Sequence, residues 1–356
     1  VRLVSTERPF RLGEFQAGLA FHEVQTSGSP LFREPQYLLS LANKLVEVAR
    51  AFNLDIIHAH YAIPHAAAAY LARQILASSN VAKVPRVITT LHGTDVTLIG
   101  SDPSYSETAA FCIDQSDGVT AVSNSLREDT YRELPVHTEI EVIPNFLDCH
   151  VHRRVVEEEV GSRYRGGDPD TKLIVHLSNF RPVKRAEAVV KIFRRVREQV
   201  KARLLLVGDG PDLVTACRMA RDFGLGADVE PLGEQELVAP ILSVADLLLL
   251  PSSQESFGLA ALEAMACNVP VVASNVGGLP EVIDHGVTGF LHPPEDLAAM
   301  ADSAITLLSD PALWETIAAA GWRAVQERFC ADEIVPLYEA FYRKVLSREP
   351  TVISSA

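Results

Sequence analysis

The sequence predicts an α/β chain folded into two doubly wound domains, each built on a parallel β-sheet. Its 356 residues exceed the ~100–200 residues of one typical domain, and a hydrophobic content of 47% is sufficient for two buried cores. Short runs rich in Val, Ile and Leu alternate with segments of helical periodicity. Near-continuous apolar strands are typical of sheets covered by helices on both faces, so this alternation indicates parallel sheets.

The apolar runs form two sets of predicted strands. After an opening strand at Val1–Val4, the first set comprises Asp55–His60, Arg86–His92, Gly118–Ser123 and Ile140–Asn145. The second set comprises Lys172–Ser178, Arg203–Gly208, Asp228–Gly233, Asp246–Ser252 and Pro270–Ser274. Helices are predicted at Pro35–Phe52, Pro64–Ala77, Arg185–Val200, Pro211–Phe223 and through Glu295–Ser347, with Pro336 beginning or bending the last helix.

A charged stretch without apolar periodicity separates the two sets. It spans residues 151–170 and contains three glycines and a proline, so we interpret it as an inter-domain linker. Residues 1–150 then form the first domain and residues 171–330 the second, and we expect a C-terminal helix over 331–356 to pack back on the first. No glycine-rich turn follows the opening strand, so we expect the first domain to lack the usual first strand, Gly-rich loop and helix.

Charge, cysteine content and hydropathy exclude several classes of protein. A net charge of −14 is unsuited to wrapping a nucleic acid, which requires Lys and Arg to displace counterions. No apolar run approaches the ~20 residues that span a bilayer and no signal peptide is evident, so we expect a cytoplasmic protein without a membrane anchor. The five cysteines lack metal-type spacing and are predicted to be buried, reduced thiols: Cys112, Cys149, Cys217, Cys267 and Cys330.

A candidate ligand site follows the buried strand Leu247–Leu250. Ligands of doubly wound sheets bind at the carboxyl ends of the strands. Ser256 is predicted to cap a helix that starts near Phe257, and the N–H groups of its first turn, together with the helix dipole, suit a phosphate. Gly258 would let the ligand approach the backbone closely.

Two carboxylates flank this helix start. Glu255 lies in the loop before it and Glu263 lies two turns further on, directed to the same side. Carboxylates accept two hydrogen bonds each, which suits sugar and ribose hydroxyls. The alternative is a pair of surface glutamates on an ordinary amphipathic helix, but the apolar residues around them favour a buried, functional pair, because an unpaired buried carboxylate is costly.

These residues resemble a known family. Glu255 and Glu263 match the E-x7-E pattern of retaining glycosyltransferases of family 4, which have the GT-B fold of two Rossmann-like domains facing across a cleft. The resemblance spans about residues 50–330 and includes the segments Gly208–Pro211, Met265–Glu281 and Gly286–Phe290. It implies a sugar-nucleotide donor held by the second domain, with Glu263 on the ribose and Glu255 on the sugar. The implied donor-binding residues are Gly208, Gly210, Gly233, Ser256, Phe257, Gly258, Leu259, Glu263 and Arg185.

A basic loop follows the strand Lys172–Ser178. Arg181, Lys184 and Arg185 are interpreted as a clamp on a diphosphate, because Arg binds oxygens in a fork and Lys supplies a point charge. The family resemblance assigns an Arg and a Lys of this loop to the leaving UDP, and whether Lys184 or Arg185 partners Arg181 stays open. No metal is predicted, since a helix N-terminus and these cations neutralise the diphosphate.

Other segments resemble a narrower group within the family, whose members transfer N-acetylglucosamine from UDP-N-acetylglucosamine to L-malate in the first step of bacillithiol synthesis. The segments are His58–Ala66, Thr90–Asp95, Ile143–Phe146 and Ser178–Arg185. The resemblance implies that His92 contacts the donor sugar. A malate site needs hydroxyls and cations, and candidates near the ends of the first-domain strands are Tyr61, Thr90, Asn124 and Arg127.

Several alternatives remain at this stage. Another small acceptor or a lipid acceptor fits the same fold, although no basic amphipathic patch stands out for a lipid. A sugar-nucleotide epimerase and a non-catalytic binder of nucleotide sugars are rival functions on the same fold. The oligomeric state, including a homo-oligomer, stays open.

Overall fold

The computed structural model describes residues 1–9, 18–26, 36–79, 81, 83–97, 102, 104–155 and 158–348. The chain divides into two compact units. Unit 1 comprises Val1–Ile143 and Pro336–Ala356, and unit 2 comprises Pro144–Val335. The predicted division into two α/β domains is thereby found in the structure, and each unit is described separately below.

Unit 1 is built on parallel strands with helices between them. Its elements are β1 (Arg2–Ser5), β2 (Ala20–Glu23), α1 (Tyr37–Phe52), β3 (Ile56–His60), α2 (Ala67–Ala77), β4 (Arg86–Leu91), α3 (Thr94–Thr97), α4 (Ser106–Asp114), β5 (Gly118–Ala121), α5 (Asn124–Glu133) and β6 (Ile140–Val142). Strands β3, β4, β5 and β6 form one parallel sheet in that order, and β1 and β2 form a separate parallel pair. Pro35, where a helix was predicted to start, lies outside the described residues.

Unit 2 contains the larger sheet. Its elements are α6 (Glu158–Arg165), β7 (Lys172–Leu177), α7 (Ala186–Arg197), β8 (Ala202–Val207), α8 (Leu213–Asp222), β9 (Val229–Gly233), α9 (Ala239–Val244), β10 (Leu247–Leu250), α10 (Leu259–Ala266), β11 (Val271–Ser274), α11 (Leu279–Val282), β12 (Phe290–His292), α12 (Leu297–Ser309) and α13 (Pro311–Arg328). The six strands are parallel in the order β12-β11-β10-β7-β8-β9. The order therefore reverses between β7 and β10, which is where a doubly wound sheet binds its ligand.

The strands of unit 2 are apolar because helices cover both faces of the sheet. The four leucines of β10 are at most 1% exposed, and the helix residues Val189, Phe193 and Ala304 are completely buried in the same core. This continuous burial is the physical reason that the strands could be predicted from runs of Val, Ile and Leu. The candidate site lies beyond the carboxyl ends of these strands.

The last helix, α14 (Ala331–Ser347), begins in unit 2 and continues in unit 1 from Pro336 onward. It packs on the sheet of unit 1 at Gly118, the first residue of β5. A Cβ atom at Gly118 would stand 2.7 Å from Val345 Cγ2 and 2.8 Å from Phe341 Cζ, so only glycine permits this approach. Arg86 also donates to the carbonyl of Arg348 at 2.6 Å.

The predicted linker over 151–170 is corrected by the structure. Helix α6 lies within this stretch and packs on unit 2, where Tyr164 is 8% exposed. Arg165 donates to Asp246 Oδ2 and to the carbonyl of Val244, both at 2.9 Å. Its charge satisfies buried acceptors instead of facing solvent, which a search for apolar periodicity does not detect. The passage between the units lies earlier, at Ile143 and Pro144.

The prediction of reduced cysteines is wrong for two of the five. Cys149 and Cys330 form a disulfide with their Cα atoms 5.6 Å apart, although 181 positions separate them in the sequence. Cys112, Cys217 and Cys267 are free, and burial raises the pKa of the Cys112 and Cys267 thiols to about 11. These two thiols are therefore unreactive at neutral pH.

The described residues contain neither a candidate membrane-spanning helix nor a candidate metal-binding cluster. None of their helices combines the length and the apolar character that crossing a membrane requires. None of their His, Cys, Asp and Glu side chains come together in groups of three or more suited to a metal ion.

Candidate active site

A buried histidine joins the two central strands of unit 2. His176 on β7 donates from Nδ1 to the carbonyl of Leu249 on β10 at 2.8 Å, and its Nε2 lies 2.9 Å from Ser178 Oγ. Burial lowers the pKa of His176 to about 4, so the ring is neutral at pH 7 and Nε2 accepts from the Ser178 hydroxyl. The histidine therefore fixes the strand ends at the point where the strand order reverses.

A charged pair lies just beyond these strand ends. Lys184 Nζ lies 2.6 Å from Glu255 Oε1, and Ser252 Oγ donates to the same oxygen at 2.9 Å. The Lys184 and Glu255 side chains are only 21% and 10% exposed. The structure thus brings together two predicted catalytic residues, and Arg181, which is exposed, lies three positions before Lys184.

The third predicted cation, Arg185, contacts main-chain carbonyls. Arg185 has a left-handed backbone, with φ of +52°, and its Nη1 donates to the carbonyls of Pro294 at 2.6 Å and Pro251 at 3.2 Å. Its guanidinium thus binds the main chain at Pro251 and Pro294, and its contact with the donor stays a prediction. Lys184 stands beside Glu255, and whether Lys184 or Arg185 partners Arg181 on a diphosphate stays open.

Two neighbouring glycines hold the Glu255 loop. At Gly277, with φ of +55°, a Cβ atom would stand 1.9 Å from the carbonyl oxygen of Glu255. Gly278 donates from its N–H to that oxygen at 2.9 Å, and its own Cβ would stand 2.4 Å from the Ser256 carbonyl oxygen. In the sequence, these glycines are recognisable only as part of a family motif. Their role in shaping the site is visible only in the close approach of the two chains.

The helix after this loop starts later than predicted. Helix α10 begins at Leu259, and its N-cap is Gly258, with φ of +102° and no side-chain cap hydrogen bond. The prediction that Ser256 caps a helix starting near Phe257 is therefore wrong. Phe257 is 3% exposed and its ring packs edge-on against Phe329, with centroids 5.7 Å apart, so its side chain belongs to the core. The first-turn N–H groups of α10 still lack partners within the helix.

Glu263 lies one turn beyond the start of α10. It is four positions after Leu259 and so lies on the same helix face. Its side chain is 10% exposed, and its Oε1 lies 3.6 Å from Nε2 of His152. His152 was not among the predicted site residues. No local pattern marks it, since it follows Asp148 in a polar turn far from Glu263 in sequence.

Two of the three glycines predicted to bind the nucleotide pack closely against other segments of the backbone. A Cβ atom at Gly208 would stand 1.9 Å from the Ser178 carbonyl oxygen, and one at Gly210 would stand 2.0 Å from that of Asn179. Gly208 also donates to the carbonyl of Gly233 at 2.8 Å, whereas a Cβ at Gly233 would meet no atom within 4 Å. The first two glycines are thus required by packing, and Gly233 borders open space.

Unit 1 carries a stack of histidine rings at the ends of β3 and β4. His60 Nδ1 lies 2.8 Å from His92 Nε2, and the ring centroids of His58 and His60 are 4.5 Å apart. Burial lowers the pKa of His58 to about 3 and those of His60 and His92 to about 4, and the neighbouring rings lower those of His58 and His60 further. Part of His60 still reaches solvent. All three rings are neutral at pH 7.

The acceptor candidate Thr90 belongs to a buried hydrogen-bond network of unit 1. Thr90 is completely buried, and its Oγ1 lies 2.7 Å from both His58 Nε2 and Thr120 Oγ1. His58 Nδ1 in turn lies 2.8 Å from the hydroxyl of Tyr342 on α14. This network ties the last helix to the sheet, and it occupies the Thr90 hydroxyl, which a small ligand would need.

The other predicted acceptor residues follow the strand ends of unit 1. Tyr61, directly after β3, has φ of +77°, and its ring centroid lies 5.0 Å from that of His92. Asn124 is exposed at the first position of α5, where Ser123 Oγ caps the helix by accepting from Leu126 N at 3.0 Å. Arg127 lies three positions later on the same helix face. An amide, a guanidinium and a helix N-terminus together suit a carboxylate.

Comparisons with known proteins identify the class to which this fold belongs. The model of the glycosyl transferases group 1 matches residues 163–323, and that of glycosyltransferase family 4 matches residues 1–151. The fold is shared with sucrose-phosphate synthase from Thermosynechococcus elongatus at a TM-score of 0.78 and 23% identity, over 97% of this chain and 87% of that one. It is shared too with Anabaena HepE, solved with UDP-glucose, at a TM-score of 0.74 and 22% identity, over 92% and 86% of the two chains. Fold and site thus define a glycosyltransferase with the two Rossmann-like domains of the GT-B fold.

Relatives in sequence identify the family within this class of glycosyltransferases. The chain is 32% identical over 247 residues to D-inositol 3-phosphate glycosyltransferase of Xylanimonas cellulosilytica, which covers 66% of this chain and 58% of that protein. It is 42% identical over 346 residues to N-acetyl-α-D-glucosaminyl L-malate synthase of Bacillus anthracis, covering 97% of this chain and 89% of that protein. The chain therefore belongs to the glycosyltransferase family of this malate synthase.

Proposed function

We propose that this glycosyltransferase transfers N-acetylglucosamine from UDP-N-acetylglucosamine to the hydroxyl group of L-malate, with retention of the anomeric configuration. One observation carries the proposal: 42% identity to the malate synthase extends over 97% of the chain. The product would be the one that the family resemblance places at the first step of bacillithiol synthesis.

Donor binding is assigned to unit 2. The amides at Phe257–Leu259 and Glu255 bind the sugar, and Glu263 binds the ribose. Lys184 and Arg181 bind the diphosphate. The pair of Lys184 and Glu255 supports this assignment, because it holds a cation in a largely desolvated place before any ligand arrives. Electrostatic groups that are oriented in advance stabilise developing charge most effectively.

Acceptor binding is assigned to unit 1. Arg127 and the N-terminus of α5 bind a malate carboxylate, and Asn124 and Tyr61 bind the remaining oxygens. His92 contacts the donor sugar as a neutral ring. A neutral imidazole has one donor and one acceptor nitrogen, which suits a hydroxyl.

The reaction exchanges the group bonded to the anomeric carbon and moves one proton. The bond between the anomeric carbon and the β-phosphate oxygen breaks, and the malate hydroxyl oxygen bonds to that carbon on the same face of the sugar. The hydroxyl proton passes to the departing phosphate oxygen, so atoms and charge are conserved between substrates and products. Lys184 and Arg181 stabilise the negative charge on the diphosphate, and we propose that no metal ion or other cofactor is needed.

An assay of UDP release tests this function. The protein is mixed with UDP-N-acetylglucosamine, and UDP is measured with and without L-malate. We expect malate to stimulate the release severalfold or more, with succinate, which lacks the hydroxyl, as the matched control. Formation of an epimer without malate, or UDP-sugar binding without turnover, would contradict the proposal.

A further inference from the structure

A compact turn of unit 2 lies beside the predicted nucleotide site, and the reaction above does not use it. The carbonyl of Asp148 accepts from the N–H groups of His152 at 2.8 Å and Val151 at 3.1 Å. The Asp148 carboxylate accepts from the N–H of His150 at 2.9 Å. These bonds fix the path of the chain up to His152.

The turn is fastened to the segment that leads into α14. Leu147 donates to the carbonyl of Phe329 at 3.0 Å and accepts from the N–H of Ala331 at 2.8 Å. The disulfide between Cys149 and Cys330 adds a covalent bond between the same two segments. The position of the turn is therefore set by two backbone hydrogen bonds and one disulfide.

The turn presents His152 to Glu263. His152 Nδ1 donates to the Asp148 carbonyl at 3.2 Å, and Nε2 lies 3.6 Å from Glu263 Oε1, with the two side chains 17% and 10% exposed. Because Nδ1 donates to the carbonyl, Nε2 is the ring nitrogen that faces the carboxylate. A largely buried carboxylate that packs against a side chain held in place by its own turn is restrained in its orientation.

We propose that His152 is a positioning residue for the donor nucleotide. It orients the Glu263 carboxylate toward the ribose hydroxyls, and the Cys149–Cys330 disulfide holds the turn that carries His152. This inference rests on the proposed function, in which Glu263 binds the ribose. It adds to that function a residue and a covalent brace that act through Glu263 and do not touch the ligand.

The test compares the affinities of the whole chain for UDP and for 2′,3′-dideoxy-UDP, measured by calorimetry. The His152→Phe variant keeps a ring but lacks Nε2. We expect its affinity for UDP to fall about fivefold to tenfold and its affinity for the dideoxy analogue to stay the same, because only UDP offers the hydroxyls. His152→Gln, which retains an N–H donor, should restore most of the affinity. His150→Phe, on the exposed side of the same turn, serves as the matched control.

The outcomes separate this inference from the function on which it rests. An equal loss for both ligands in His152→Phe would indicate a general structural role and overturn the inference. If the wild-type protein binds both ligands equally while malate still stimulates UDP release, the ribose contact is wrong and the inference falls with it, but the transferase function stands. Absence of malate-dependent release would instead overturn the function itself.

Reduction tests the role of the disulfide. Dithiothreitol gives two electrons and two protons to the sulfurs of Cys149 and Cys330, which become thiols, and closes to its own cyclic disulfide. We expect a fall of about twofold to fivefold in UDP affinity, smaller than for His152→Phe because the Leu147 hydrogen bonds remain. His152→Phe should show no further fall on reduction. An unchanged affinity of the reduced wild-type protein would overturn the bracing role.

Discussion

Lys184 and Glu255 are held by different parts of unit 2 and meet only through folding. Lys184 ends a short 3-10 turn after β7, whereas Glu255 lies in the loop after β10, and Ser252 donates to the same carboxylate oxygen that Lys184 contacts. A cation and a carboxylate in contact neutralise each other when no ligand is bound. A diphosphate that approaches can then share the cation without a large cost in reorganisation.

Arg181, the exposed cation of the predicted diphosphate clamp, leads to a prediction about UDP binding. The exposed side chain of Arg181, in contrast to that of Arg185, makes no hydrogen bond to the described residues, so its removal should leave the fold intact. We expect Arg181→Ala to weaken UDP binding by about 1.5–3 kcal/mol, the range for a hydrogen bond to a charged group. Calorimetric titration with UDP measures the change, and Arg195→Ala, at the far end of α7, is the control. Unaltered UDP affinity would refute the clamp.

Glu255 leads to a prediction about turnover. We assign Glu255 to the sugar and not to the nucleotide, so Glu255→Ala should retain UDP binding while malate-dependent turnover falls by about 100-fold or more, the size of effect seen when an electrostatic contact to the reacting group is removed. The two quantities are measured by calorimetry and by UDP release. Turnover equal to that of the wild type would remove Glu255 from the site.

Among the elements, the loops at the carboxyl ends of β10 and β11 depend most on close backbone contact. Gly277 and Gly278 lie against Glu255 and Ser256 so closely that no side chain fits between them. The position of Glu255 is therefore determined by a neighbouring element and not by its own sequence. Glycines 208 and 210 act in the same way at the end of β8.

Substitutions at two glycines distinguish the stability cost of a steric clash from that of backbone strain. Gly277 and Gly286 both have positive φ, +55° and +75°, but a Cβ at Gly286 meets no atom within 4 Å. Gly286→Ala should therefore cost only the left-handed strain of about 1–2 kcal/mol. Gly277→Ala adds a clash with the Glu255 carbonyl oxygen and should cost about 3 kcal/mol or more. Urea unfolding measures both, and equal losses would contradict the packing argument.

For the whole molecule, the buried neutral histidines predict sensitivity to acid. His176 is completely buried with a pKa lowered to about 4, whereas in the unfolded chain a histidine binds its proton near pH 6.5. The unfolded chain therefore takes up more protons between these two values, and stability is complete above about pH 6.5 and falls as the pH decreases toward 4. Between about pH 6.5 and pH 4, the buried neutral ring of His176 thus lowers the free energy of unfolding by about 3 kcal/mol.

The stability of variants at several pH values tests this effect. His176→Asn keeps an N–H for the Leu249 carbonyl but does not titrate, so its free energy of unfolding should depend less on pH between 6.5 and 4 than that of the wild type. His150→Asn, at an exposed position, is the control. An undiminished pH dependence in His176→Asn would show that other groups, such as His58, His60 and His92, account for it.

The sequence predicted the two α/β units because their strands are long apolar runs, such as Leu247–Leu250, and the family pattern placed Glu255 and Glu263 correctly on one loop and helix. It missed β2 and β12, since strands of four and three residues are too short to show a pattern. It also misjudged residues 151–170, where the charged side chain of Arg165 serves buried acceptors.

Contacts between distant parts of the chain were beyond prediction. The disulfide of Cys149 and Cys330 joins positions 181 residues apart, and the approach of His152 to Glu263 depends on the same turn. Thr90 looked like a ligand contact because it lies near a strand end, but its neighbours bury it completely. Such features follow from tertiary packing, which leaves no periodic signal along the chain.

The central claim is that this chain joins N-acetylglucosamine to malate, and identification of the product tests it most directly. The protein is incubated with UDP-N-acetylglucosamine and L-malate, and the mixture is analysed by mass spectrometry. We expect a compound with the mass of N-acetylglucosamine plus malate less one water, formed in equal amount with UDP and linked in the α configuration. UDP accompanied only by free N-acetylglucosamine, or an adduct with the β configuration, would contradict it.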